Sequence, residues 1–204
     1  MKAKPEWFLA RNPLGKVPTL QKGSEILYES LVTCDYLDAV HPEPRLLASE
    51  PLQRAKDSML VECFNKVVFP MYRFRSAKDD AELRAVEEDF KAGLRLAEVD
   101  LEARGTKFFG GNDRPMMVDY MIWPWLERIP SLNRVVPGDR VTVSESTFPK
   151  LVRNCKKIAL LSLHCRFDLI WFAECLHLGD GEGPGCPEVP HPGGRFRGVF
   201  TLVH

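Results

Sequence analysis

Two short apolar runs near the start of the chain predict a pair of β-strands. Residues 17–20 and the residues up to Leu27 each have the length of a strand, and residues 22–24 between them (Lys-Gly-Ser) are typical of a turn. Pro18 stands where the first strand begins, a place where proline removes one ladder donor and leaves a neighbour's backbone open. The pattern therefore predicts a hairpin with an accessible peptide at its entrance.

A helix is predicted directly after the hairpin. Residues 31–37 have a helix-like pattern, and Ser30 before them is suited to be the N-cap. Glu29 and Ser30 would then lie at a positive helix N-terminus with free N–H groups, where a carboxylate is favoured. Taken alone, this pair is typical of a helix cap with a surface carboxylate. Together with the strand that begins at Val17, it favours a binding site.

The chain becomes helical from Leu52 onward, where apolar residues recur at spacings of three and four. A long helix is predicted from Asp79 to Ala103, with Gly105 as its C-terminal glycine. The segment from Met116 to Ile129 is apolar on nearly all sides, which is typical of a helix at the centre of a bundle.

Composition excludes several classes of function. The 204 residues carry 28 basic and 28 acidic side chains, so no basic excess points to nucleic acid or to an anionic membrane. The apolar segment 158–178 contains Arg166 and Asp168, which disfavour a membrane span. The first residues lack the apolar run of a secretory signal, and the six cysteines are spread without a compact framework. These features predict a cytoplasmic protein with reduced thiols.

Several motifs, in the correct order, resemble one family. They are Lys4-Pro5-Glu6-Trp7-Phe8, Asn12-Pro13, Gly15, Val17-Pro18-Thr19-Leu20, Tyr28-Glu29-Ser30, Phe108-Phe109-Gly110-Gly111-Asn112 and Asp119-Tyr120-Met121-Ile122-Trp123-Pro124-Trp125. Over about residues 1–153 the chain resembles the cytosolic glutathione transferases, and the omega class in particular. The resemblance implies an α/β plus all-α fold, in which a partial thioredoxin-like N-terminal half precedes an all-α glutathione transferase C-terminal domain.

The resemblance also implies boundaries for the domains. Residues 1–41 would form the partial thioredoxin-like, glutathione-binding domain, although the β-α-β unit with which such a half normally begins is absent. The Pro-rich residues 42–51 would be a linker, and residues 52–178 the helical domain. Residues 179–204 are rich in Gly and Pro and are predicted to be disordered.

Roles for individual residues follow from the resemblance as well. In the family, the peptide before the proline pairs in strand fashion with the cysteinyl backbone of glutathione. By resemblance this role falls on Val17, beside a cis Pro18. The Glu-Ser pair, here Glu29 and Ser30, holds the γ-glutamyl end, and Lys4 lies near the glycyl carboxylate. Related proteins also place a hydroxyl residue three positions before the aspartate at 119. Here that position is Met116, so the sequence predicts that Asp119 lacks this partner.

The implied activity is glutathione-dependent thiol transfer by a homodimer, with glutathione as co-substrate. Its substrates would be dehydroascorbate, methylated arsenic acids and mixed disulfides, and no metal, nucleic acid or membrane is expected. The family's Cys-Pro-aromatic nucleophile has no counterpart, so no catalytic residue is assigned. Cys34 is predicted to be a small buried hydrophobic residue. The Cys and His residues of the tail match no paired-ligand spacing of a zinc site. The alternatives are a non-catalytic helical binding or interaction protein of the same family and a chain with no stable fold.

Overall fold

The computed structural model describes residues 4–41, 44–134, 136, 138, 140–164 and 201–202. The chain divides into two compact units, and the boundary between residues 44 and 45 falls inside the predicted linker. The first unit contains the hairpin, and the second contains the long helices.

The described residues of the first unit form a small antiparallel sheet and two helices. Strand β1 (Thr19–Lys22) lies between β2 (Glu25–Tyr28) and β3 (Thr201–Leu202). Helix α1 (Glu6–Leu9) precedes β1, and α2 (Ser30–Val40) follows β2. The hairpin predicted from the two apolar runs is therefore present, with Gly23 and Ser24 as its turn.

The described part of the second unit contains five helices. They are α3 (Pro51–Cys63), α4 (Asn65–Arg73), α5 (Asp80–Arg104), α6 (Met117–Leu132) and α7 (Pro149–His164). Together the two units have the predicted class of fold, with strands and helices in the first and helices in the second. The predicted tail lies outside the described residues, apart from the two residues of β3, which are strand and not disordered chain. Among the described residues, every helix is too short or too polar to cross a lipid bilayer.

Helix α5 follows the sequence prediction closely. The Asp79 side chain accepts a hydrogen bond from the amide of Glu82 at 2.8 Å, so it caps the helix at its start. Gly105 ends the helix with φ of 65°, a left-handed conformation that glycine adopts without steric cost. The buried stripe of α5 packs into one apolar core with side chains from the other helices of this unit. Its members on α5 are Val86, Phe90, Leu94, Ala97 and Leu101.

Asp119 has backbone partners in place of the hydroxyl that Met116 cannot supply. Its carboxylate is 1% exposed and accepts hydrogen bonds from the amides of Phe109 at 2.7 Å, Gly110 at 2.9 Å and Met116 at 3.0 Å. The hydroxyl partner is absent, as the sequence predicts, and three backbone amides bind the carboxylate in its place. Burial raises the pKa of Asp119, and the three amides act in the opposite direction.

Gly110 is required by this arrangement. A Cβ at position 110 would collide with the Cβ and Cγ of Met116 and lie 3.0 Å from a carboxylate oxygen of Asp119. Only a residue without a side chain lets the 109–110 turn approach the start of α6 so closely.

Replacing Asp119 by alanine should lower the free energy of unfolding by about 3–5 kcal/mol, since each of the three amides loses a buried acceptor worth about 1–3 kcal/mol. Denaturant unfolding monitored by circular dichroism measures this. The matched control is Asp113→Ala, which removes an exposed carboxylate from the same turn and should change stability by less than about 0.5 kcal/mol. Equal effects of the two substitutions would contradict the role given to Asp119.

Candidate functional site

The register of the β1–β2 hairpin brings the two predicted binding segments to one place. Thr19, the first residue of β1, is paired with Tyr28, the last residue of β2. Directly paired Cα atoms of antiparallel strands lie about 4.5–5.5 Å apart, so chain segments that leave the same end are neighbours. The segment 17–18 before β1 and the segment 29–30 after β2 therefore lie at the same end of the hairpin.

Val17 offers unpaired backbone groups at this end. Its peptide bond to Pro18 is cis, as the resemblance implies, and both residues are half-buried. Within the described part of the chain, neither the N–H nor the C=O of Val17 has a hydrogen-bond partner. A free donor and a free acceptor beside a strand end can pair with an added extended peptide.

Asn12 fixes the loop that presents Val17. Its side chain is fully buried, and its amide nitrogen donates to the Lys16 carbonyl at 2.7 Å and to Thr19 Oγ1 at 3.0 Å. Its amide oxygen accepts from the Leu14 amide at 3.0 Å. Asn12 has no role that follows from its sequence context alone, although an Asn-Pro pair is a recognised turn signal. Asn12 is therefore a positioning residue of the site.

Glu29 has an unusual backbone conformation. Its φ is 73° and its ψ is 120°, and it is the one residue other than glycine with positive φ among those that the structure describes. The N-cap of α2 is Glu29 and not Ser30, so the sequence prediction was displaced by one residue. The Glu29 side chain is exposed and makes no capping hydrogen bond. Strained backbone of this kind costs about 1–3 kcal/mol and is concentrated at functional sites.

The start of α2 offers several donors to a ligand. The amides of Ser30, Leu31 and Val32 have no hydrogen-bond partner among the described residues, because the first intrahelical bond runs from the Thr33 amide to the Glu29 carbonyl at 2.9 Å. Ser30, the first residue of α2, is half-buried and carries a hydroxyl. A carboxylate is favoured here by the free N–H groups and by the helix dipole. The exposed carboxylate of Glu29 next to them suits an ammonium group.

Lys4 is not brought together with these residues by any described contact. Its ammonium nitrogen lies 5.7 Å from the centre of the Phe8 ring, a cation–π distance. No hydrogen bond or ion pair between Lys4 and the segments 17–18 and 29–30 exists within the described residues. The role predicted for Lys4 stays a prediction.

Cys34 is the thiol nearest in sequence to the site, one helical turn after Ser30. It is half-buried, and burial, with a smaller contribution from the Asp35 carboxylate, raises the pKa of its thiol to about 11. A nucleophilic cysteine needs the opposite shift, because the thiolate is the reactive form. The reading of Cys34 as a small packing residue agrees with this environment.

No three His, Cys, Asp or Glu side chains of the described residues are grouped as metal ligands would be. The predicted absence of a metal stays a prediction, and the Cys and His residues of the tail lie outside the described part of the chain.

Comparisons with known proteins agree on one family. Residues 1–45 match the family model described as the glutathione S-transferase N-terminal domain. Glutathione S-transferase omega-1 of Sus scrofa is 37% identical over 133 residues, which are 65% of this chain and 55% of that protein. Pyrimidodiazepine synthase of Drosophila melanogaster is 40% identical over 152 residues, 72% of this chain and 59% of that protein. The chain thus spans somewhat more than half the length of these relatives.

Solved structures give the same result. A rice glutathione S-transferase in complex with glutathione superposes with a TM-score of 0.65 at 25% identity, covering 76% of this chain and 70% of the other. The omega-class enzyme 3C of Trametes versicolor gives a TM-score of 0.62 at 28% identity, covering 76% and 64%. The chain belongs to the glutathione transferase family. Its omega-class relatives in both comparisons agree with the class indicated by its sequence motifs.

In this chain, replacing Glu29 by glycine should leave stability unchanged or raise the unfolding free energy by up to about 1 kcal/mol, because glycine adopts positive φ without strain. The gain is partly offset by the larger unfolded-state entropy of glycine. A thermal melt measures it. Glu25→Gly is the matched control, since Glu25 is an exposed strand residue of the same hairpin, and it should destabilise by about 0.5–1 kcal/mol. Equal losses from both substitutions would contradict the strain at Glu29.

Proposed function

We propose that this member of the glutathione transferase family binds glutathione at the Val17 and Glu29–Ser30 end of its hairpin. The observation that carries the proposal is the juxtaposition of two complementary elements by the β1–β2 register. One is a peptide with unpaired backbone groups, and the other is a helix N-terminus with unpaired amides and an adjacent free carboxylate.

Glutathione has the groups that this arrangement would recognise. Its cysteinyl unit has an amide on each side, so it can form strand-like hydrogen bonds with the N–H and C=O of Val17. Its γ-glutamyl end carries both a carboxylate and an ammonium group. The carboxylate suits the Ser30 hydroxyl and the amides of α2, and the ammonium group suits the Glu29 carboxylate. A bound ligand of this shape accounts for a strained Glu29 whose side chain is used neither as a cap nor in a salt bridge within the described residues.

The affinity is expected to be low. Hydrogen bonds to charged groups contribute about 1.5–3 kcal/mol each, but lost translational freedom and loop ordering offset much of that gain. A dissociation constant in the millimolar range, on the order of −4 kcal/mol, is the expected result.

Titration of the purified chain with glutathione, followed by NMR or calorimetry, tests the site. Glu29→Ala should abolish measurable binding, because the ammonium group of the ligand loses its carboxylate partner. Cys34→Ser should leave the affinity unchanged, since the Cys34 thiol has no role in the site.

The matched control is Glu25→Ala, which removes one exposed carboxylate from the opposite end of the same hairpin and should also bind normally. Equal binding by the wild type and Glu29→Ala would overturn the proposed position of the site. Loss of binding in both Glu29→Ala and Glu25→Ala would show that only the net charge of the chain matters. That result would also contradict the proposed position of the site.

Two thiols of the described residues, those of Cys34 and Cys155, favour the alternative of binding without catalysis. Burial raises the pKa of Cys34 to about 11 and that of Cys155 to about 12. At about pH 7.4, a thiol of pKa about 11 is ionised in only about one molecule in several thousand. The reduction of dehydroascorbate, methylated arsenic acids and mixed disulfides, which the family resemblance implies, is therefore proposed to be slow in this chain.

The chain should show very low thioltransferase and dehydroascorbate reductase activity near neutral pH, because nucleophilic attack needs a thiolate. If Cys34 carries any residual rate, that rate should rise about tenfold per pH unit up to about pH 11, since each unit multiplies the thiolate fraction by ten. Coupled assays on the wild type and Cys34→Ser, beside an intact omega-class enzyme, measure both. Rates close to those of that enzyme would contradict the proposal.

Two further parts of this proposal rest on family resemblance. The chain is proposed to form the family's homodimer and to act in the cytoplasm, and both stay predictions.

A further inference from the structure

A pocket lies in the helical unit. The end of α5, the turn that follows it and one face of α7 surround a volume of about 170 Å³. A single water molecule needs about 10–15 Å³ of such space, so the pocket has room for a considerably larger guest. Its lining residues are Leu101, Gly105, Thr106, Lys107, Asn112, Lys150, Arg153 and Lys157.

Half of the lining residues are cations, and none is acidic. Lys150, Arg153 and Lys157 occur at spacings of three and four on α7, which places them on one face of that helix. Lys107 also lines the pocket and belongs to the turn after α5. The chain as a whole has equal numbers of basic and acidic residues, so this concentration of positive charge is a local feature and not a result of composition. Clustered cations around a concave surface attract multivalent anions.

The nearest charged partners leave most of these cations available. Glu98 accepts hydrogen bonds from the backbone amides of Lys150 at 2.7 Å and Leu151 at 2.8 Å, so its carboxylate is used by the start of α7. Glu145 pairs with Arg153 at a long distance of 3.7 Å, and both side chains are more than half exposed. Such a surface pair contributes about 0–1 kcal/mol and leaves the guanidinium able to bind another anion.

The Lys107, Lys150 and Lys157 ammonium groups have no carboxylate partner among the residues that the structure describes. Their mutual repulsion is therefore not relieved within this part of the molecule.

The walls of the pocket are held in place by buried and local hydrogen bonds. Asn154, which is 1% exposed on α7, donates its side-chain amide to the Lys107 carbonyl at 3.3 Å. The Lys107 amide donates to Asn112 Oδ1 at 3.0 Å, and Thr106 Oγ1 donates to the Phe108 carbonyl at 2.6 Å. The Asn112 amide nitrogen makes no hydrogen bond within the described residues and is free to donate into the pocket. The cations on the turn and on α7 are thus presented by a fixed backbone.

We propose that this pocket binds the diphosphate group of a small molecule, with Lys107, Lys150, Arg153 and Lys157 as its cationic ligands. A diphosphate carries several negative charges on oxygens that only accept hydrogen bonds, which matches four cations and a free amide donor. The binding is expected to weaken as salt is added, because exposed charges are screened. This site is separate in the chain from the proposed glutathione site and does not depend on it.

Titration of the full chain with inorganic pyrophosphate, followed by amide NMR shifts at constant ionic strength, tests the proposal. Shift changes are expected in residues 105–112 and 150–157. The double variant Lys107→Gln/Lys157→Gln removes two exposed cations and should lower the affinity at least about tenfold. Adenosine diphosphate, titrated in parallel, distinguishes the sources of the group: equal affinity points to the diphosphate alone, and tighter binding to a nucleotide.

The matched control is Lys56→Gln/Lys66→Gln, which makes the same change in net charge at exposed positions of the same unit outside the pocket. It should bind as the wild type does. Absence of shifts in the two segments, or equal losses of affinity in the two double variants, would overturn the proposal. Melting temperatures of both variants close to that of the wild type would show that any loss comes from the pocket and not from unfolding.

Discussion

Antiparallel pairing of Thr19 with Tyr28 is the contact on which the candidate glutathione site depends. Neither the peptide at Val17 nor the carboxylate of Glu29 would specify a ligand alone, because each offers only a few hydrogen-bonding groups to the solvent. The pairing converts two short sequence segments into one surface with both backbone and charged groups. The buried Asn12 side chain extends this constraint to the loop before β1, since it bonds to Leu14 and Lys16 in that loop and to Thr19 at the start of the strand.

The helical unit relies on a different device, a buried carboxylate surrounded by backbone amides. Asp119 ties the turn at Phe109 and Gly110 to the first residue before α6. The segment between α5 and α6 also carries Lys107 and Asn112, which line the pocket of the helical unit. Asp119 therefore helps to fix the position of two residues of that pocket. In the first unit, by contrast, the amides at the start of α2 are left without partners among the described residues, which is what makes them available to a ligand.

Sequence reasoning was most successful where the information is local. The hairpin, the long helix α5 and its terminal Gly105 follow from periodicity and turn chemistry. The segments at Val17 and Glu29–Ser30 do lie at one end of the hairpin, and their binding roles stay predictions. Sequence reasoning failed where the deciding contact joins distant residues. The amide partners of Asp119 come from a turn several residues upstream, and nothing in the spacing between Phe109 and Asp119 indicates that they meet. The displaced N-cap at Glu29 has another cause, because a positive φ at a glutamate is not encoded by any local propensity.

Gly110 has a consequence for how mutational tolerance in this protein would be interpreted. Every side chain placed there meets Met116 and the Asp119 carboxylate, so a saturation screen should find position 110 nearly invariant. Glu29, which is exposed and strained, should accept many residues in a screen for folding and few in a screen for ligand capture. A position that tolerates no substitution would therefore not always be one that binds the ligand. Positions intolerant in both screens would be needed for folding, and positions intolerant only in the ligand-capture screen would be needed for recognition.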